Sequence, residues 1–354
     1  MDNLDNINTF KEYDKSDMLS NITRFPDQIR DAVKLGYSVD ISKINANNIK
    51  CIVVCGMGGS AIGGELLGAY LQNKISIPFF INRSYSVPEY VDENSLVIAS
   101  SYSGNTEEIL TAFKEVLNRK SQIVVISSNG NLGADAARMD IPIITLPGGY
   151  MPRAALGFGF FPLMIILSRL GLFSIEKSEL NSIADYLDRR TEQFIPESDD
   201  NLAVTVARGI HGKLPIIYGA DAVFGAIAMR FKQQICENSK SLAFSNVFPE
   251  FNHNEIVGFE ILPVHSNKIV VIMITDTDCH HRIKIRMKIL SKYFNDKGIE
   301  VIYINSEGNS ELEKMFSVIQ IADYCSYYLA ILNKTDPTPI ESIDFLKNEL
   351  DKAT

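Results

Sequence analysis

Ser101, Ser103 and Thr106 crowd three hydroxyls into one short stretch, SSYSGNTEE, residues 100–108. Gly104 lies among them and is free to take dihedrals that a side chain forbids. The stretch follows the apolar run LVIA and opens a helical pattern. The start of a helix carries N–H groups without intrahelical partners and a partial positive charge, so it holds phosphate without lysine. A hydroxyl-rich loop at that place is what a phosphomonoester needs. The same residues fit a capping box, with Asn105 as N-cap and Glu108 three residues on. Capping and phosphate binding are compatible there.

A second glycine-rich stretch, GMGGSAIGG at residues 56–64, also follows an apolar β-branched run, CIVVC. It opens as Gly56-x-Gly58 but has Ala61 at the third position of a dinucleotide fingerprint. The acidic residue that would hold a ribose is missing from PFFINRSYS, and no Gly-Lys-Ser/Thr follows. What survives is a backbone that comes close to a ligand at a strand's carboxyl edge, with Ser60 facing it. The alternative is plain packing of helix on strand.

Three charged or titratable residues stand at comparable places. Arg153 follows a proline after the strand-like IPIITLPGG. Glu237 lies in CENSK at the end of a long helical pattern, and His253 lies in the loop NVFPEFNHNEIVG. Glu250 and Glu255 flank that histidine as candidates to orient it. His280 and His281 are sequence neighbours whose side chains diverge, which argues against a joint metal site; His211 and His265 sit at turns. The basic face between Arg282 and Lys292 reads as solvated.

Positioning these groups requires strands that alternate with helices. CIVVC, PFFINRS, SLVIAS, SQIVVISS and IPIITLP read as strands; AIGGELLGAYLQ and EEILTAFKEVLNRK read as helices between them. GFGFFPLMIILSRLGLF reads as a buried helix, too broken by Gly, Pro and Arg to span a bilayer. The pattern restarts in LPIIYGADAVFGAIAMRFKQQICENSK, NKIVVIMITD, HHRIKIRMKILSKYFNDKG and IEVIYINS, with Gly219 standing where Gly56 stood. The expected fold is α/β, a duplicated doubly wound domain with mostly parallel sheets flanked by helices. The expected boundaries are an N-terminal helical segment at 1–37 with Leu19, Ile22, Ile29 and Val33 on one stripe, a first domain at 38–174, a helical connection at 175–200, a second domain at 201–335 and a C-terminal helix at 336–354.

Composition agrees with that class. A chain of 354 residues with 46% hydrophobic and 22% charged residues is long enough for two cores. Its net charge of −9 argues against a nucleic-acid or anionic-membrane partner, while leaving local anion sites open. Cys51, Cys55, Cys236, Cys279 and Cys325 form an odd, scattered set that reads as reduced thiols in a cytoplasmic protein. The start, MDNLDNINTFKEYDKSDM, is too acidic and polar for a signal peptide.

The S-x-S-G-x-T-x-E pattern resembles the signature of the sugar isomerase (SIS) domain, which binds phosphosugars. With GMGGSAIGG, the Pro152-Arg153-Ala154 segment, CENSK and FNHNEIVG in this order, nearly the whole chain resembles the bifunctional phosphoglucose/phosphomannose isomerases of archaea and some bacteria. The resemblance implies two SIS-type domains. It implies a phosphate cradle of Gly59, Ser60, Ser101, Ser103 and Thr106. Glu237 is implied as the base at C2, His253 as the ring-opening group and Arg153 as stabiliser of an enediolate. DPTPIESIDFLKNEL also fits the family and implies Lys347 beside the ring oxygen, against the plainer reading of a solvated helix face. The implied activity interconverts glucose 6-phosphate and mannose 6-phosphate with fructose 6-phosphate, without metal or cofactor. It further implies a homodimer in which His253 serves the other subunit's site. The rival readings are a non-catalytic SIS-fold sugar-phosphate sensor and an aminosugar-phosphate isomerase.

Overall fold

The computed structural model describes Leu4, residues 7–261 and residues 266–353. His265 therefore lies outside the described residues. The chain divides into two compact units: Arg24–Asp188, and Met1–Thr23 together with Arg189–Thr354. Two short helices come first, α1 (Ile7–Tyr13) and α2 (Met18–Thr23). The Asp14 carboxylate accepts from the Met18 N–H at 2.7 Å and the Leu19 N–H at 2.9 Å, which turns the chain from one helix into the next.

The unit Arg24–Asp188 begins with α3 (Phe25–Ser38). It continues through β1 (Cys51–Cys55), α4 (Gly58–Leu71), β2 (Phe79–Asn82), β3 (Ser95–Ser100), α5 (Glu107–Asn118) and β4 (Gln122–Ser127). Then come α6 (Gly130–Arg138), β5 (Ile143–Thr145), α7 (Leu156–Arg169) and α8 (Lys177–Thr191), which leads out of the unit. The sheet order is β2-β1-β3-β4-β5 and every neighbouring pair is parallel, with Ile52 opposite both Phe79 and Leu96. All residues of β1 and β3 are buried. Central parallel strands are covered on both faces, so they read as continuous apolar runs rather than alternating ones. α5 shows the usual amphipathic spacing, burying Ile109, Ala112, Phe113 and Val116. α7 is apolar nearly all round and is correspondingly buried. From β1 the chain moves outward to β2, and from β3 it moves the other way to β4. The loops leaving β1 and β3 therefore flank a crevice at the carboxyl edge, the usual ligand place in open parallel sheets.

After α8 come α9 (Leu202–Ile210), β6 (Leu214–Gly219), α10 (Ala222–Ser239), β7 (Phe244–Val247) and β8 (Ile269–Thr275). The chain closes with α11 (His281–Asp296), β9 (Glu300–Asn305), α12 (Glu311–Leu332) and α13 (Glu341–Ala353). This sheet runs β7-β6-β8-β9, again all parallel. The order repeats that of β2-β1-β3-β4, so the duplication read from the glycine turns is present in the topology. α6, β7 and α12 have no counterpart in the sequence reading. α12 is the largest of these: a capping box of Ser310 and Glu313 starts it, and it is buried almost throughout. It is long and apolar enough to cross a membrane, but 94% of that stretch is buried within the protein, against α9 and α10.

A polar ladder crosses this core. Arg230, Gln234 and Asn238 lie one turn apart on α10. The Arg230 guanidinium donates to both oxygens of Asp323 at 2.9 and 2.8 Å, Gln234 Nε2 donates to Asp323 Oδ1 at 2.8 Å, and Asn238 Nδ2 donates to Ser326 Oγ at 2.9 Å. Buried polar pairs contribute little net stability but are costly to mismatch. They hold α10 in one rotational setting against α12, and that setting aims the residues of its last turn.

Candidate active site

The hydroxyl loop leaves β3 as expected, but its hydrogen bonding differs from the expected capping box. Thr106, not Asn105, is the N-cap of α5, and it makes no side-chain cap bond. The Thr106 hydroxyl instead pairs with Ser101 Oγ at 2.8 Å, and the Asn105 side-chain carbonyl accepts from the Asn131 N–H at 3.0 Å. The box fails because the helix starts one residue later than expected and the side chain of Asn105 is used to shape the loop. Ser101 is 1% exposed and its hydroxyl also accepts from the Gly104 N–H at 3.1 Å. Ser103 is exposed and accepts from the Asn105 N–H at 3.3 Å. Gly104 has φ +70°, and a Cβ there would stand 1.7 Å from the Asn129 carbonyl oxygen. Only glycine fits that point.

The β1 glycine turn meets this loop directly. Ser60, in the first turn of α4, accepts from the Tyr102 N–H at 3.1 Å. Gly59 is pressed against Pro152 and Arg153: a Cβ on it would lie 2.6 Å from the Pro152 carbonyl carbon and 2.9 Å from the Arg153 nitrogen. The short helical turn Pro152–Ala154 is held from beneath by Gln28, which donates to the Ala154 carbonyl at 2.8 Å and accepts from the Gly157 N–H at 2.6 Å. Arg153 is 2% exposed. This unit thus gathers Gly59, Ser60, Ser101, Ser103, Thr106 and Arg153 at the carboxyl edge of its sheet.

In the other unit, Glu237 sits on the last turn of α10, half-buried. It lines a cavity of about 740 Å³ with Cys236 and Lys240 beside it, Thr335, Asp336 and residues 339–343 along one side, and Glu12, Tyr13 and Lys15 from the start of the chain. The sequence singles out two of these stretches, CENSK and DPTPIESIDFLKNEL, but not Glu12, Tyr13 and Lys15, which packing brings in from far along the chain. Among them only Cys236 and Lys240 share a motif with Glu237.

His253 closes a short helical turn, Glu250–His253, and is exposed. Its loop is anchored by aromatic packing: Phe251 stacks on Tyr218 at 4.0 Å between centroids and meets Phe248 edge-on at 4.7 Å. The two flanking carboxylates have other partners. Glu255 accepts from the Tyr218 hydroxyl at 2.5 Å and from Asn246 Nδ2 at 2.6 Å; Glu250 accepts from Asn254 Nδ2 at 2.7 Å. Burial, reinforced by Glu255, pushes the Tyr218 phenol up. His253 is not among the residues lining the Glu237 cavity. Lys347 is exposed on α13, beyond the residues that line it.

The duplicated sheet edge in this unit has opposite chemistry. A cavity of about 270 Å³ there is lined by Asp221, Asp276, Asp278 and Glu311, with Lys314 bound to Asp278 and 3.4 Å from Asp276. Those carboxylates would repel a phosphate, so the two sheet edges share topology but not the charge they present. Among the described residues no group of three or more His, Cys, Asp or Glu side chains is arranged to hold a metal. Cys51, Cys55, Cys279 and Cys325 are free and buried, and burial raises the Cys55 thiol to about 11.

Two parallel sheets in one repeated order, with a hydroxyl loop at the switch point of the first, define an α/β protein of two SIS-type domains. Residues 46–148 match the model of the SIS domain, and residues 199–350 match that of the bacterial phospho-glucose isomerase C-terminal SIS domain. The chain is 42% identical to the bifunctional phosphoglucose/phosphomannose isomerase of Caldicellulosiruptor bescii, over 94% of this chain and 98% of that one. It is 36% identical to the protein of the same name from Aquifex aeolicus, over 88% of this chain and 94% of that one. A hypothetical protein from Thermus thermophilus shares the fold, with a TM-score of 0.76 at 15% identity over 95% of this chain and 90% of that one. The chain belongs to the bifunctional phosphoglucose/phosphomannose isomerase family.

Proposed function

We propose that Glu237 is the proton-transfer base of this enzyme and that Ser60, Ser101, Ser103 and Thr106, with the backbone at Gly59, hold the phosphate of its substrate. The chain is an aldose–ketose isomerase acting on sugar phosphates. It interconverts glucose 6-phosphate and mannose 6-phosphate with fructose 6-phosphate by ring opening and a cis-enediol. The reaction is an internal redistribution: the carboxylate takes the proton from C2, the C1 carbonyl takes a proton to become a hydroxyl as the double bond forms between C1 and C2, and the proton returns at C1 while the C2 hydroxyl gives up its proton to become the ketone. No electron acceptor enters the balance. In this reading Arg153 stabilises the negative charge of the enediolate. His253 opens the ring, and Lys347 stands beside the ring oxygen.

The observation that carries the assignment of the base is the place of Glu237. A carboxylate can take a proton from carbon only where a substrate fits beside it. Glu237 lines a cavity of about 740 Å³. Glu250 and Glu255 flank His253 but are bound to Asn254, Tyr218 and Asn246. The position of His253 outside the Glu237 cavity supports a shared site, in which a second copy of the chain lends its histidine. The five free thiols support a reducing, cytoplasmic location.

The test is Glu237→Gln, which keeps the shape of the side chain and removes its ability to accept a proton. Turnover should fall by about 10²–10⁴-fold, with little change in substrate binding. Exchange of the C2 proton of glucose 6-phosphate with deuterium should stop in heavy water, while anomer interconversion stays accelerated. Wild-type turnover in this variant would remove Glu237 as the base.

A further inference from the structure

α10 ends in an unusual way. Its C-cap is Lys240, in the left-handed region at φ +53°. Glycine or asparagine usually takes this place, because a longer side chain meets a steric penalty there. The side chain of Lys240 has a specific engagement. Its ammonium lies 2.9 Å from the carbonyl oxygen of Glu237 and 3.3 Å from that of Asn238. It also lies 2.8 Å from the carbonyl of Asp336 and 3.1 Å from that of Pro337. The first two are among the last carbonyls of α10, which lack intrahelical partners and carry the negative end of the helix dipole. The other two belong to the segment that leaves α12 and enters α13. Asn333 adds a parallel tie, donating to the Ser239 carbonyl at 2.8 Å and to Ser241 Oγ at 2.9 Å.

Both tied segments are walls of one cavity. The last turn of α10 contributes Cys236 and Glu237, and the α12–α13 segment contributes Thr335, Asp336 and Pro339. One ammonium therefore bridges the segment that carries the base to a second segment lining the same cavity. Only lysine has the chemistry for this: three donors radiate from a single point on a flexible four-carbon stem, whereas the guanidinium of arginine is a flat fork.

We propose that Lys240 is a positioning residue for proton transfer. By gathering the carbonyls of Glu237, Asn238, Asp336 and Pro337, it holds the last turn of α10 at a fixed distance from the α12–α13 segment of the same cavity, so that the Glu237 carboxylate meets C1 and C2 of the opened sugar. The inference rests on the reading of Glu237 as the base. Displacement of a reacting group by about 1 Å costs on the order of 10²-fold in rate.

The experiment compares Lys240→Gly, Lys240→Met and Glu237→Gln, each as the full-length chain, with fructose 6-phosphate in a coupled assay. Glycine suits the left-handed backbone, so the fold and its melting temperature should be kept or improved. Methionine keeps the stem and removes the donors. Both Lys240 variants should lose about 10²-fold in kcat, with KM within roughly threefold, and deuterium exchange at C2 should fall by the same factor as kcat. Wild-type kcat in Lys240→Gly beside a dead Glu237→Gln would overturn the role of Lys240 alone. Loss in the methionine variant only would show that the missing donors, absent from the glycine variant as well, are not the cause and would also overturn it, as would a rise in KM with kcat unchanged. Full turnover in Glu237→Gln would overturn the base and, with it, the positioning role.

Discussion

Gly104→Ala perturbs, at its most constrained point, the loop proposed to hold the phosphate. At φ +70° an alanine costs about 1–2 kcal/mol in backbone conformation alone. Its Cβ would also start 1.7 Å from the Asn129 oxygen, where real Cβ contacts do not fall below 3.0 Å, so the two backbones must part by about 1.3 Å. Relaxation there is transmitted. The Gly104 N–H is bonded to Ser101, whose hydroxyl positions that of Thr106, and the Gly104 carbonyl accepts from the Leu132 N–H at 2.9 Å. If the loop holds the phosphate as proposed, a displacement of that size should break at least one hydrogen bond to it, worth about 1.5–3 kcal/mol or roughly 10- to 150-fold in affinity. The assay is KM for fructose 6-phosphate together with competitive inhibition by inorganic phosphate; both constants should rise by the same factor. Gly148→Ala is the control, because a Cβ there meets nothing within 4 Å and its φ is ordinary. A folded Gly104→Ala protein with unchanged KM and unchanged phosphate inhibition would show that the loop does not hold the phosphate.

Replacing Ser103 and Thr106 together by Ala should raise KM with much less effect on kcat, since each lost bond to phosphate is worth about 1.5–3 kcal/mol; an unchanged KM would leave the loop as a mere helix start. Mixing inactive Glu237→Gln with inactive His253→Ala should restore turnover, because some heterodimer sites then hold both intact residues. An active monomer at assay concentration would refute the shared site.

Much of the architecture was legible because buried parallel strands are continuous apolar runs. CIVVC and SLVIAS need no partner to be recognised, and the turn after CIVVC is marked by residues that only a close backbone approach requires, as Gly59 against Pro152 shows. α12 was missed for the converse reason. A helix buried on all sides has no polar face, so its sequence loses the 3.6-residue period that reveals α5. α6 and β7 were missed because GNLGADAAR carries two glycines and FSNV is half polar. The hydroxyl loop was recognisable from residue type and order, but its bonding was not. Asn105 and Glu108 match a capping box in sequence, and only the packed loop shows Asn105 bound to Asn131 and Thr106 turned toward Ser101. Glu237 has the residue type of a base, yet so do many surface glutamates. The cavity beside it depends on residues near 12, 237 and 336–343 meeting in one unit, and the tie through Lys240 depends on carbonyls about 100 residues apart. Local propensity and apolar runs are properties of neighbours in the chain, so they can be read from it; cavities and long-range ties are properties of the packed core, and only folding creates them.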